Sequence, residues 1–243
     1  MAQHVLLNNL DHQDLRLITR PGSSVGDGVN QVLIYPNEYS DIQRHYPIFF
    51  RKAETGGFKS IALLGFDKDE NLFLGDDGWN ATYIPATQKI GPFLIGQPKP
   101  APGEDLPADA AAMIMIDTNH VRISRSEGEP LFLSHGGYSP ALVHVTEILQ
   151  QVYAGSEISD SMFAAFFDTG LLAPIEVNVQ LDDKTSYILK DLFTVSREAF
   201  QNLAGDQLKA LNDAGFLALA VFVMSSMSNL GHLINLKNDR RSA

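Results

Sequence analysis

A change of hydrophobic period at Ser139 constrains the fold of this chain more than any other feature. Before it, apolar residues come in short runs bounded by turn residues. These are QVLIY at 31–35, ending at Pro36, then 47–50, SIALLGF at 60–66, PFLIG at 92–96, AAMIMID at 111–117, and 131–133 after Gly128 and Pro130. Runs of that length suit buried strands. After Ser139 the spacing is helical. Ser139 suits an N-cap and Pro140 the first helical position. Leu142, Val145, Leu149 and Val152 form one apolar stripe, and Gly155 reads as its C-terminal stop. Ser159 or Asp160 then caps a second helix, with Met162, Phe163, Phe166 and Phe167 inward and Gly170 closing it. PIEVNVQ at 174–180 alternates like a strand, and 185–189 returns beside it after a turn at 182–184. Ser196 and Asp206 cap two short helices. A last helix runs over about 216–236, with Lys237, Arg240 and Arg241 at its end, where cations suit the helix dipole.

Strands first and helices second predict an α+β fold. It has an N-terminal β-rich meander region, then a helix-rich C-terminal half with a small added hairpin. No repeat of 20–50 residues is present. The stretch QPKPAPGEDLPADA at 97–110 carries four prolines and too little apolar surface to order itself. It marks a boundary, hinge or lid between a β-rich region, 1–110, and a helix-rich region, 111–243, and the two can share one core.

Composition narrows the function classes. There is no cysteine, which removes disulfides, thiolate metal sites and a cysteine nucleophile. The net charge of −11 argues against binding nucleic acid or anionic lipid, which needs a basic face. The N-terminus lacks the cationic start and the apolar run of about 7–15 residues of a secretory signal. The longest apolar stretch, FLALAVFVM at 216–224, has nine residues against the about 20 of a membrane span. The expectation is a cytoplasmic protein without a span.

The stretch DENLFLGDDGWNATYIPA, 69–86, holds the single tryptophan. Asp67, Asp69 and Asn71 have the spacing that opens an EF-hand loop. Such a loop needs Gly at its sixth position and Glu at its twelfth, where Leu72 and Gly78 stand. Two linked hairpins fit better: a polar turn at 67–71, a tight turn at Asp77-Gly78, and a strand over 79–84 ended by Pro85. Trp79 and Tyr83 then share one strand face, more naturally as packing residues than as a ligand platform.

No catalytic residue can be assigned. There is no G-x-S-x-G elbow, no P-loop and no G-x-G-x-x-G, so no cofactor is expected. His120, His135 and His144 with Asp117 lack metal-ligand spacing, and no metal is expected. Arg44 and His45, with Tyr46, precede the apolar PIFF run and can rim a pocket, since a guanidinium binds two oxygens of a carboxylate or phosphate at once. Arg44, His45, Trp79, Tyr83 and His135, the last in a Ser-His-Gly-Gly turn, are the candidate ligand-binding residues.

YPIFF (46–50), LLGF (63–66), NLFLGDDGWNATYIPA (71–86) and PFLIG (92–96), then LFLSHGGYSPAL (131–142) and DQLKALNDAGFL (206–217), resemble in order and spacing the bacterial SapC family. The likeness covers nearly the whole chain. Its motifs carry no known catalytic group. The resemblance implies an association with surface-layer (S-layer) loci, and with neighbourhoods encoding TonB-dependent receptors and tryptophan-halogenase-like flavoproteins. Two features depart from the family's pattern. Lys89 and Ile90 stand where a pair of arginines is usual, and VMSSM at 223–227 replaces a His-Leu-x-Ser-Leu segment, so no role is carried over for either.

Two functions follow. One is a non-enzymatic accessory protein with a protein partner, either a halogenase-like flavoprotein or an envelope component. An exposed apolar patch would favour it. The other is an enzyme or small-ligand binder with a pocket near Trp79, Tyr83 and the 97–110 loop. A deep pocket of convergent polar groups would favour that.

Overall fold

The computed structural model describes residues 4–54, 56–96, 113–182 and 184–242. In chain order come β1 (His4–Leu6), β2 (Arg16–Leu17), β3 (Gln31–Ile34), α1 (Tyr39–Ile42), β4 (Ile48–Lys52) and β5 (Phe58–Leu63). A tight pair follows, β6 (Leu74–Gly75) and β7 (Gly78–Trp79). Next are α2 (Ala86–Ile90), β8 (Phe93–Gly96), β9 (Met113–Asp117), β10 (Ile123–Ser124) and β11 (Glu129–Pro130). Helix α3 (Pro140–Asp168) leads to the hairpin β12 (Leu172–Gln180) and β13 (Ser186–Val195). The helices α4 (Arg197–Gln201), α5 (Gly205–Asp213), α6 (Phe216–Ser226) and α7 (Asn229–Ser242) come after it. The fold is α+β, with strands dominating the N-terminal half and helices the C-terminal half.

The chain forms two compact units, Met1–Gly26 with Ala86–Tyr153, and Asp27–Pro85 with Ala154–Ala243. They are interleaved rather than divided once near 110, because strands pair across long stretches of chain. The Pro-rich stretch 97–110 lies outside the described residues. In the first unit, β1-β9-β8 form an antiparallel sheet in which Ile116 pairs with both Val5 and Phe93. Leu7, Leu15, Phe93, Ile116, Leu131, Leu142 and Leu149 make its core. Arg122 is buried there and donates to the carbonyls of Ile18 (2.7 Å) and Arg20 (3.3 Å).

The second unit is built on a five-stranded antiparallel sheet, β12-β13-β4-β5-β3. The PIFF run becomes β4. Ile48, Phe49 and Phe50 are fully buried, so this strand is covered on both faces, as its unbroken apolar run implies. Phe50 meets the Phe163 ring edge-on at 5.1 Å.

Several local readings are revised, and Phe167, expected inward with Met162, Phe163 and Phe166, is exposed. Helix α3 does not stop at Gly155 but runs through it. A Cβ at Gly155 would lie 2.6 Å from Tyr35 Cβ and would also collide with Asn37 Oδ1, so the glycine serves a close approach, not a stop. Ser159 Oγ bonds back to the Gly155 carbonyl (3.0 Å) instead of capping a new helix. The final helix is two helices, broken at 227–228. Ser226 Oγ there accepts from Ile48 N–H (2.9 Å) and donates to the Val223 carbonyl (2.6 Å).

Lys237 is buried near the end of α7, with its ammonium 2.6 Å from both Asp67 and Glu70. Burial disfavours its charge, and the hydrogen bonds to Asp67 and Glu70 outweigh that, raising its pKa. The Lys237 contact in turn holds Asp67 below the usual carboxylate range.

Two stability predictions follow from these contacts. Gly155→Ala gains about 1 kcal/mol of helix propensity but meets Tyr35 and Asn37, and a net loss of about 1–3 kcal/mol is expected on urea unfolding. Lys237→Met should cost about 2–3 kcal/mol by leaving Glu70 without its cation, less than a fully buried pair because Asp67 is half-exposed. The Asp67 contribution is present above its unfolded pKa of about 4 and lost as pH falls through its lowered folded value. That of Lys237 is present below about 10.4 and lost as pH rises through its raised one. Wild-type stability should therefore show a plateau between these limits, and Lys237→Met should flatten both flanks.

Candidate functional site

The second unit gathers four of the five candidate residues. Trp79 Nε1–H donates to the Tyr46 hydroxyl (2.7 Å), which donates to the Tyr83 carbonyl (2.6 Å). The Tyr83 hydroxyl donates to Glu38 Oε2 (2.9 Å), and Glu38 Oε1 accepts from Tyr35 N–H (3.0 Å). His45 Nε2 bonds Thr82 Oγ1 at 2.6 Å. Arg44 reaches Asp41 at 3.6 Å across an exposed pair, a contact worth little by itself. The fifth candidate, His135, is exposed on a turn closed by Leu133 N–H to the Gly137 carbonyl (2.7 Å). It belongs to the first unit.

Local sequence explains part of this geometry. The β6–β7 turn places Asp76 and Asp77 between paired Gly75 and Gly78, and Gly78 takes φ +111, open to glycine. Asn80 N–H then bonds the Phe73 carbonyl (2.7 Å), and the chain leaves the strand. Trp79 and Tyr83 thus do not share a strand face, since β7 ends at Trp79. They are joined through Tyr46 instead. Tyr46 is buried edge-on against Phe73, 4.6 Å between centroids.

Two members had no strong sequence signal. Glu38 is buried, and its only cue is its position three residues after Tyr35, the spacing of a capping glutamate. His232 of α7 comes from far along the chain, 6.1 Å from the Phe73 ring.

Burial pushes the Tyr46 and Tyr83 hydroxyls above the ordinary tyrosine range, and at Tyr83 the Glu38 carboxylate adds to it. These phenols are fixed hydrogen-bonding groups at neutral pH, not bases. His45 is lowered, first by burial and then by Arg44 and His232, with Asp41 partly opposing. Chemically the cluster is a rigid aromatic floor with a rim of Arg44, His45 and His232 that can meet a polar or anionic group. Among the described residues no group of three or more His, Asp or Glu could hold a metal ion.

Open clefts lie elsewhere among the described residues. One of about 410 Å³ lies in the first unit between Leu6, Ile95, Met113 and Tyr138. One of about 510 Å³ lies in the second unit beside Arg51 and Phe193. Trp79 and Tyr83 line neither.

A surface feature stands beside these. The segment Phe216–Ser242 is long and apolar enough to cross a membrane by length and composition, and 22% of its apolar window is buried. Val221 is 43% exposed. Polar contacts nonetheless tie the segment to its own unit, through Ser226 to Ile48, Asn229 Nδ2 to the Gln43 carbonyl (2.9 Å) and Lys237 to Asp67 and Glu70.

A family model described as SapC matches residues 7–233. No curated protein and no solved structure matches the chain.

The electrostatics of the rim can be measured at one nucleus. The His45 ring should titrate by NMR below the ordinary 6.5, and Arg44→Gln should move its midpoint upward by removing a neighbouring cation. A midpoint at or above 6.5 that ignores Arg44→Gln would contradict this arrangement.

Proposed function

The chain belongs to the SapC family, and from that premise we propose that it is an accessory protein that docks on a partner protein rather than transforming a substrate. Its partner is a halogenase-like flavoprotein or an envelope component, in a cytoplasmic step of a surface-layer or TonB-dependent uptake system. The observation that carries the reading is Val221, exposed on α6 within a segment long and apolar enough to cross a membrane, 22% of whose apolar window is buried. The polar anchors along α6 and α7 support a docking face held on a folded unit over a span released into lipid. The acidic balance of the chain favours a protein partner over an anionic membrane.

A second reading is favoured by one observation, the Arg44, His45 and His232 rim above the Trp79–Tyr46–Tyr83 network. It makes the site a small-ligand binder. The single tryptophan separates the readings, because a ligand there would change Trp79 fluorescence and a partner on α6 would not need to.

Wild-type protein and Val221→Asp should be used side by side in affinity pull-downs from host lysate, read by mass spectrometry. A stoichiometric partner retained by wild type and reduced about tenfold or more by Val221→Asp, at unchanged melting temperature, is the expected result. Equal retention by both proteins, or no partner even under gentle crosslinking, sinks the docking reading.

A further inference from the structure

The sheet of the first unit leaves part of its apolar face half-covered. Ile95 and Ile114 are paired in register, and Leu7 N–H bonds the Ile114 carbonyl (2.9 Å). Leu7, Ile114 and Ile95 therefore stand side by side across three strands. Two residues along each strand, and so on the same face, are Val5, Ile116 and Phe93, and all six pack in one apolar cluster. Phe93 and Ile116 are almost fully buried there, whereas Ile95 and Ile114 stay half-buried.

Helix α3 supplies the opposing wall. Thr146, Leu149 and Gln150 have the spacing of one helix face. They line the cleft of about 410 Å³ together with Ile95, Ile114 and Tyr138. Its volume falls within the about 300–1,000 Å³ of small-molecule sites. Among the described residues none that lines it is charged. Thr146 Oγ1 is turned onto its own helix, donating to the Leu142 carbonyl (2.8 Å). The Tyr138 ring is held edge-on to Phe132 at 5.8 Å. The Tyr138 hydroxyl and the Gln150 carboxamide, both on exposed residues, make no hydrogen bond among the described residues. Apolar walls with free polar groups only on exposed residues select a neutral molecule, because a charge entering would lose water and gain no counter-charge.

We propose that the cleft between β8, β9 and α3 binds a neutral amphiphile, an aliphatic body ending in one hydroxyl or amide. The aliphatic body lies along Ile95 and Ile114 against Leu149. Met113, which also lines the cleft, adapts to its shape, since an unbranched thioether side chain fills irregular gaps. The head group meets the Gln150 carboxamide, which can both donate and accept, with the Tyr138 hydroxyl as a second polar group on the lining. Because the cleft is open to solvent, only part of the aliphatic body is buried and the affinity is modest. The site lies in the first unit and uses neither α6 nor the Trp79 network, so its failure leaves both earlier readings standing.

The test follows the full chain by amide NMR, with 1-octanol and octanamide as probes and octanoate and octylammonium as charged controls of the same length. Expected with either probe are shifts at Ile95, Ile114, Thr146 and Gln150, with a Kd on the order of 1 mM or tighter. Each charged control should bind about tenfold more weakly or worse. 1-Hexanol should bind about tenfold more weakly than 1-octanol, because two methylenes fewer are buried. Gln150→Ala, at an exposed helical position, should weaken 1-octanol about fivefold by removing a partner of its hydroxyl. Thr146→Phe should fill the cleft and abolish the shifts. No shifts at these four residues with either neutral probe overturns the proposal. So does octanoate or octylammonium binding there as tightly as 1-octanol, or a 1-octanol Kd that neither variant changes.

Discussion

The ammonium of Lys237 fixes the 66–74 loop, and much of the second unit depends on it. An ammonium taken out of water is tolerated only where carboxylates meet it with good geometry, and Asp67 and Glu70 do so at 2.6 Å each. Three residues on, the Arg240 guanidinium collects the carbonyls of Asn71 (3.0 Å), Leu72 (3.4 Å) and Leu74 (2.6 Å). Asn71 is buried, donating to the Asp27 carbonyl and accepting from Phe73 N–H. Gly65 lets the loop close, since a Cβ there would stand 2.5 Å from the Glu70 carbonyl oxygen. Phe73 is thereby set against Tyr46, and Tyr46 receives Trp79. The geometry of the aromatic site thus follows from one cation on the last helix.

That anchoring also explains how α6 can leave Val221 exposed. A helix whose apolar surface is only partly buried gains less from packing than one buried throughout. Here polar contacts compensate at three points. Ser226 takes the Ile48 amide, Asn229 the Gln43 carbonyl, and Lys237 the two carboxylates. The segment is held without burying all of it, so Val221 stays exposed while Leu219, Phe222, Val223 and Met224 pack into or against the core.

The elements legible in the sequence were those set by local signals. QVLIY, PIFF, SIALLGF, PFLIG and AAMIMID each contribute a strand, and Ser139 caps α3 through its Oγ, which accepts from Leu142 N–H. Ser196 caps α4 in the same way. What the sequence concealed is long-range. Gly155 looked like a stop because glycine ends helices, but its reason is the side chains of Tyr35 and Asn37, brought up by tertiary packing. Lys237 and Arg240 suited a helix dipole, yet their partners lie about 170 residues earlier. At the candidate site, Arg44, His45 and Trp79 were legible because polar and aromatic residues flank apolar runs. Glu38 offered only the spacing of a capping glutamate after Tyr35, His232 stands in no local pattern, and nothing in the chain order shows that His135 belongs to a different unit.

The sheet itself limits where partners can bind. β12 is an edge strand of nine residues, long enough to recruit a foreign strand unless blunted. It carries Pro174, which has no N–H to offer, and the exposed charge of Glu176, while the extra residue of the β12–β13 bulge lies on β13 and not on this edge. A proline and an exposed charge therefore blunt the edge toward another chain's backbone.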